Sequence, residues 1–226
     1  MHPKALLDAC AELLQQVLTF AHPADAVVSR YFRQHRNLGP RERATLAETV
    51  YNVLRKKPLL EQLARSGSGP KERRLAILGF HGPRDFLKTA LTPQERAWVD
   101  ECDAVPEADL MEPQRHNLPQ WLAEPLKAQL GAAFWPLARS LQEAAPLDLR
   151  VNILMAKREE ISQELAQAAI QTVATPYSPW GLRVQGKPAL TRVPAFVRGA
   201  IEVQDEGSQL LSMLLAVDNG FQACMM

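Results

Sequence analysis

The chain has 226 residues and a formal net charge of +1, with 46% hydrophobic and 23% charged residues, which is an ordinary globular composition. Its cysteines, Cys10, Cys102 and Cys224, are widely scattered without a CxxC pair, and its five histidines have no metal-ligand spacing. This pattern excludes a zinc ribbon, disfavours a disulfide framework and predicts a cytoplasmic protein without a metal. No apolar run reaches the roughly eighteen residues of a membrane span, so we expect no membrane association.

The formal charge conceals an uneven distribution. Residues 30–74 contain twelve Lys or Arg and four Asp or Glu, a balance of +8, whereas residues 75–145 contain six and ten, a balance of −4. A concentrated basic segment favours a polyanionic partner, although charge clustering alone is more typical of a solvated helix surface.

Apolar residues recur at helical spacing through the first hundred positions. Gly39-Pro40 begins the clearest helix, because proline fits the first-turn position that needs no N–H. Thr92 to Glu95 form a capping box, in which the two side chains satisfy free N–H groups of the first turn. Helices are therefore predicted over 4–21, from Pro23, from Pro40 to Lys57, over 59–64, over 71–80 and from Pro93, with a flexible connector at 66–70.

The acidic, turn-rich segment 100–113 is interpreted as the boundary of the first domain. A helix then begins at Leu118-Pro119-Gln120-Trp121 and ends at Gly131, and another follows from Phe134. We interpret Trp121 and Trp135 as core anchors, since large aromatic residues are mostly buried.

From Pro146 the apolar period changes from helical to alternating. Asn152 lies between apolar residues of the first strand, where a buried hydrogen-bonding role and an RNA contact both remain open. The order of elements indicates a small α+β unit. Strands are predicted at 149–154, 172–174, 182–184 and 200–203, with a helix at 157–169.

The stretch Gly199 to Leu215 passes from a strand to a helix that Asp205 or Ser208 can cap. A strand followed by a helix normally begins a further part of the fold, and only eleven residues follow this helix. We therefore expect the chain to be the front of a longer protein. The helix should be poorly held, with its apolar residues lacking a partner: Leu210, Leu211, Leu214 and Leu215.

Three stretches resemble, in order, the small domain that precedes the catalytic domain in the Sun/RsmB (Fmu-like) family of RNA cytosine-C5 methyltransferases. They are L-R-V-N-I-L at 149–154, P-Y-S-P-W-G-L-R-V at 176–184 and P-A-F-x-x-G-A-I-E-V-Q-D-E at 194–206. The segments Leu38 to Ala44 and Val50 to Arg55 also resemble the NusB-like domain at the front of such enzymes.

The resemblance implies a fold class and a domain order. The fold class is a mainly α, shortened NusB-like domain followed by a small α+β domain, with the Rossmann-like methyltransferase core truncated away. The expected divisions are 1–113 for the helical domain, 114–145 for linker helices, 146–203 for the small domain and 204–226 for the start of the methyltransferase domain.

The resemblance also implies a chemistry that these residues lack. The family's reaction uses a cysteine thiolate that attacks C6 of cytosine, and an Asp-x-Cys-Ala-x-Pro-Gly-Gly-Lys-type loop that holds S-adenosylmethionine. Cys224 does not fit that loop and receives no role, so no catalytic residue is assigned. S-adenosylmethionine is expected for the full-length family and no cofactor for this chain.

We therefore expect the RNA-recognition portion of a 16S rRNA methyltransferase, inactive alone. The alternatives are a stand-alone NusB-like RNA-binding module for ribosome assembly or antitermination, and a generic protein-interaction domain. Tyr177 and Trp180 either stack on bases or, more simply, pack under their turn. The predicted RNA-binding residues are Arg41, Arg43, Arg55, Lys56, Lys57, Arg73, Arg74, Arg150, Asn152, Arg183, Lys187 and Arg198.

Overall fold

The structure is a computed structural model, and it describes residues 1–186 and 188–214. The chain divides into two compact units, Met1–Ala144 and a second that begins at Ala145. The first unit is helical, and the second contains a small antiparallel sheet with helices. The predicted fold class, a mainly α domain followed by a small α+β domain, is thereby confirmed. The finer four-part division and the truncation of a Rossmann-like core remain predictions.

The first unit is built from helices connected by short turns. No described helix is long and apolar enough to span a bilayer. The helices are α1 Pro3–Val17, α2 Ala24–Gln34, α3 Pro40–Arg55, α4 Lys57–Leu63, α5 Lys71–Leu78, α6 Arg84–Lys88, α7 Pro93–Asp103, α8 Glu112–His116, α9 Gln120–Leu130 and α10 Phe134–Gln142.

Helix α1 is the centre of the first unit and packs against α3 and α5. Its apolar stripe is fully buried, with Leu7, Leu13 and Leu14 showing no exposed surface. Each such leucine contributes about 1.5–3 kcal/mol by leaving water, which is why the amphipathic pattern alone predicted a helix here. The helix ends at Val17, four residues before its predicted end.

The capping box at α7 is present as predicted. The Glu95 N–H donates to Thr92 Oγ1 at 3.2 Å, and the Thr92 N–H donates to Glu95 Oε2 at 2.8 Å. The sequence did not reveal α6, and α7 extends to Asp103 into the segment interpreted as turn-rich.

The interpretation of Trp121 as a core anchor is wrong. Its side chain is 75% exposed on the outward face of α9. The opposite face of α9 contributes Ala123 to a small cluster with Phe134 and Ala138, and Trp135 packs against that cluster. The helical spacing was correct, but the cluster is too small to cover both faces of α9.

The second unit has the order β-α-β-β-α-β, followed by a final helix. All neighbouring strands are antiparallel, in the order β2-β3-β1-β4, which is the ferredoxin-like arrangement. Its elements are β1 Leu147–Val151, α11 Arg158–Gln167, β2 Thr172–Ala174, β3 Gly181–Val184, α12 Pro194–Val197, β4 Ile201–Val203 and α13 Glu206–Leu214.

Strand β1 ends at Val151, three residues before its predicted end. Asn152 stops it, because its Oδ1 accepts from the Leu154 N–H at 3.2 Å and so begins a local turn. Ile153 and Leu154 consequently lie on the surface instead of in the sheet.

Helix α13 is held to the second unit by polar groups. Glu206 Oε1 accepts from the N–H groups of Tyr177 and Ser178 at 2.6 and 2.8 Å, and Asp205 Oδ1 caps the helix through the Ser208 N–H at 3.0 Å. Burial opposes the charged form of Glu206, but these donors outweigh it and lower its pKa.

Gln209 completes this attachment and has no exposed surface. It accepts from Ser178 Oγ at 2.7 Å and donates to the Gln204 carbonyl at 2.8 Å. Leu211 and Leu214 are 65% and 79% exposed, as predicted for leucines without a partner, whereas Leu210 is half-buried. Leu215 lies outside the described residues.

Candidate nucleic-acid interface

Half of the lysines and arginines in the basic segment 30–74 form ion pairs or hydrogen bonds within the protein. Lys57 and Lys71 both contact Glu61, at 2.8 and 2.6 Å. Arg55 lies 3.9 Å from Glu48. These side chains stabilise the helix surface first, so their charge does not by itself indicate a binding face.

Arg73 forms the most extensive of these networks. Its Nε donates to Glu95 Oε1 at 2.7 Å, and its Nη1 donates to Asp8 Oδ1 at 2.9 Å. The hydrogen bond to Glu95 raises the pKa of Arg73. This guanidinium joins α5 to α1 and α7, and it is bound to two carboxylates.

Arg74 and Arg43 bind backbone carbonyls. Arg74 Nη1 donates to the carbonyls of Ala64 and Gly67, the latter at 3.0 Å, and thereby fixes the connector after α4. Arg43 Nε donates to the Leu38 carbonyl at 2.9 Å, and its guanidinium lies 5.6 Å from the centre of the Phe32 ring. Both arginines therefore have structural partners.

Part of the available positive charge of this segment lies near the end of α2. Arg30, Arg33 and Arg36 are exposed and form no ion pair within the part of the chain that the structure describes. Arg41, from the predicted set, is likewise exposed and unpaired there. Arg41 lines a separate cavity with Leu6 and Phe86. We call Arg30, Arg33 and Arg36, which lie on α2 and just after it, the arginine patch.

The sequence contained one usable signal for this patch. Arg30, Arg33 and Arg36 recur every three residues with no acid between them, which places them on neighbouring positions of the helix and its exit. Lys56, also from the predicted set, has no ion pair among the described residues and lies in a separate pocket with Leu59.

The predicted cations of the second unit are paired with acids. Arg183 donates to both carboxylate oxygens of its cross-strand neighbour Asp148, each at 2.8 Å, and this contact raises the pKa of Arg183. Arg198 binds Glu164 through two nitrogens. These bidentate pairs leave few donors for phosphate.

The remaining predicted residues of the second unit are placed as follows. Arg150 contacts Glu202 across the β1–β4 pair. Asn152 is half-buried, and its Nδ2 donates to the Gly199 carbonyl at 3.4 Å. It therefore has a structural role at the end of β1. Lys187 lies outside the described residues.

Among the described residues of this unit, Tyr177 is the exposed aromatic that could stack on a base. Its ring is 75% exposed, while its backbone N–H is fixed by Glu206. Trp180 is only half-buried. The simpler interpretation, in which both aromatics pack under their turn, therefore does not hold for Tyr177.

Neither described cysteine resembles a catalytic thiolate. Burial raises the pKa of Cys10 to about 12, despite an opposing hydrogen bond to Thr49. Burial also raises the pKa of Cys102. Nucleophilic cysteines need the opposite shift. Cys224 lies outside the described residues, and the described residues contain no cluster of three or more metal-ligating side chains.

Comparison with known proteins agrees with this architecture. The family model for the ferredoxin-like domain of RsmF/B-like methyltransferases matches residues 118–191. "Probable ribosomal RNA small subunit methyltransferase B" of Synechocystis sp. is 28% identical, with 84% of this chain covering 51% of that protein. The chain resembles the Sun/RsmB family, as predicted. Its match is to the N-terminal portion of these proteins.

Two further comparisons extend over most of the chain. Ribosomal RNA small subunit methyltransferase B of Vibrio cholerae is 26% identical over 94% of this chain and 55% of that protein. The crystal structure of PH0851 aligns with a TM-score of 0.64 at 21% identity, covering 95% of this chain and 56% of that one, which is a likeness of fold. The chain thus spans about half the length of the curated relatives that it matches.

Proposed function

We propose that these residues are the RNA-recognition portion of an S-adenosylmethionine-dependent RNA cytosine-C5 methyltransferase whose substrate is 16S rRNA. The names of the relatives support a methyltransferase of small-subunit ribosomal RNA. The cytoplasm is the proposed location.

The observation that carries the proposal is the arginine patch. Guanidinium groups without an internal partner can neutralise phosphates and release counterions, which supplies most of the affinity of RNA-binding surfaces. Guanidinium groups already bound to carboxylates, such as those of Arg73 and Arg183, must first break those contacts. We therefore propose that RNA binds the first unit at the end of α2, with Tyr177 of the second unit as a candidate stacking residue.

Changing Arg33 and Arg36 together to glutamine is expected to weaken binding to purified 16S rRNA. The slope of log affinity against log salt should become shallower by about one and a half units, because each lost phosphate contact removes about 0.7–0.9. A salt titration by filter binding or fluorescence anisotropy measures both quantities.

The matched control changes Lys4 and Arg96 to glutamine. Both side chains are exposed and, within the described ranges, unpaired, so the change in net charge is identical. This variant should keep nearly the wild-type slope. If both double variants lose the same RNA affinity, only the overall charge matters. If the salt slope of the Arg33/Arg36 variant is unchanged, the arginine patch is not part of the interface.

The 226 residues by themselves are expected neither to bind S-adenosylmethionine nor to methylate RNA. They contain no match to the family's donor loop, and the described cysteines have raised pKa values. Isothermal titration calorimetry with the purified chain should show no heat of binding. Micromolar binding of S-adenosylmethionine would contradict the proposal that these residues recognise RNA without binding the methyl donor.

A NusB-like RNA-binding module is the second candidate, favoured by the separate core of the first unit. It predicts that residues 1–144 bind RNA as tightly as the full chain. The recognition-portion proposal instead predicts that Tyr177→Ala in the full chain weakens binding about fivefold or more, since base–aromatic stacking is worth about 1–3 kcal/mol.

A further inference from the structure

A pocket of the first unit brings together three cations that are far apart in the sequence. Lys56 follows α3, Arg115 belongs to α8 and Arg139 belongs to α10, and all three line one cavity of about 310 Å³. Lys56 and Arg139 form no ion pair among the described residues. The sequence placed Lys56 in a candidate interface but gave no reason to join it to the other two.

Arg115 is the fixed element of this pocket. Its guanidinium carbon lies 4.6 Å from the centre of the Trp135 ring, an arrangement in which the ring face holds the flat cation. Its Nε is buried without a hydrogen-bond partner, since Glu107 is 3.7 Å away and beyond hydrogen-bonding distance. A buried cationic donor without an acceptor calls for an anion or a water.

The wall behind Arg115 is held rigidly by side-chain hydrogen bonds. Gln142 Nε2 donates to the Arg115 carbonyl at 2.9 Å, and Gln142 Oε1 accepts from Asn117 Nδ2 at 2.7 Å. Gln114 is buried, and its Oε1 accepts from the Met111 N–H at 3.0 Å. The position of Arg115 is therefore set before any ligand arrives, which lowers the entropic cost of binding.

Two acids also line the pocket, and their placement allows an anion to enter. Glu107 lies on the side of Arg115 at 3.7 Å, and its side chain is 62% exposed, so it can turn into solvent. Glu143 is exposed at the end of α10. With three cations against two acids, the pocket keeps a positive balance, and displacement of Glu107 increases it.

We propose that the pocket of Lys56, Arg115 and Arg139 binds a phosphate group of the RNA backbone. Arg115 offers its fork of N–H donors to two phosphate oxygens, and the two rim cations neutralise the remaining charge. This inference rests on the proposed function, since it assigns a second contact to the same RNA beyond the arginine patch. It adds two residues, Arg115 and Arg139, that lie outside the basic segment 30–74.

Inorganic phosphate tests the pocket directly in the wild-type chain. Because Arg115 stacks on Trp135, phosphate binding should shift the indole N–H resonance of Trp135, which the Trp135→Phe spectrum identifies. Potassium chloride at equal ionic strength should leave that resonance in place. Lys56→Gln and Arg139→Gln should each weaken the phosphate response by about threefold to fivefold, the weight of an exposed ion pair.

RNA binding provides the second measurement, with 16S rRNA as the probe. The double variant Lys56→Gln/Arg139→Gln should make the salt slope shallower by about one and a half units, whereas Arg96→Gln should not change it. The inference is overturned if phosphate does not shift the Trp135 resonance. It is also overturned if the double variant keeps the wild-type salt slope. If the proposed function itself fails, the wild-type chain does not bind the RNA at all, and the phosphate titration still reports on the pocket.

Discussion

Replacing Gln209 with methionine is expected to lower the free energy of unfolding of the second unit by about 2–4 kcal/mol. The volume is nearly conserved, but the buried Ser178 hydroxyl loses its acceptor, and the carbonyl of half-buried Gln204 loses the donor from Gln209. Buried polar groups without a partner cost about 1–3 kcal/mol each. Amide hydrogen exchange of β1 and β3 under native conditions measures the free energy for this unit alone.

The control lies two residues further along the same helix, on its exposed side. Leu211→Ser should change the free energy of unfolding by less than about 0.5 kcal/mol, because the leucine is 65% exposed. It should also improve solubility, since it interrupts an apolar stripe. A larger loss from Leu211→Ser than from Gln209→Met would show that leucine packing, and not the polar attachment, holds α13.

This contrast shows what sequence patterns can and cannot reveal. The leucines of α13 follow helical periodicity, so the helix itself was predicted correctly. Its attachment depends on Glu206 and Gln209 meeting a turn about thirty residues earlier, at Tyr177 and Ser178. No local pattern encodes a contact over that distance, so the sequence indicated the helix and not the groups that attach it.

In the candidate interface, too, the sequence indicated the composition but not the long-range contacts. Composition correctly indicated where basic residues concentrate, because charge counts need no geometry. It could not separate arginines that bind carboxylates from arginines that face solvent, since Arg73 finds Asp8 sixty-five positions away. Arg115 and Arg139 remained unnoticed for the same reason, because each stands alone in an acidic segment.

Asn117 is expected to be the most sensitive single position of the first unit. It has a left-handed backbone, with a φ of 53°, at the end of α8. Its Oδ1 accepts from the Leu59 N–H at 3.1 Å, and its Nδ2 donates to the Gln114 carbonyl at 2.9 Å and to Gln142 Oε1 at 2.7 Å. One buried side chain thus ties α8 to α4 and α10.

Replacing Asn117 with alanine should therefore lower the free energy of unfolding of this unit by about 3–4 kcal/mol, which combines the lost hydrogen bonds with a strained left-handed conformation. Asn117→Gly loses the same hydrogen bonds without the strain, so it should cost about 1 kcal/mol less than alanine. Urea denaturation, with amide exchange in α4 and α8 as the local probe, separates the two contributions. Equal and small losses in both variants would mean that Asn117 does not anchor these helices, and the fixed wall on which the phosphate pocket depends would then lack its support.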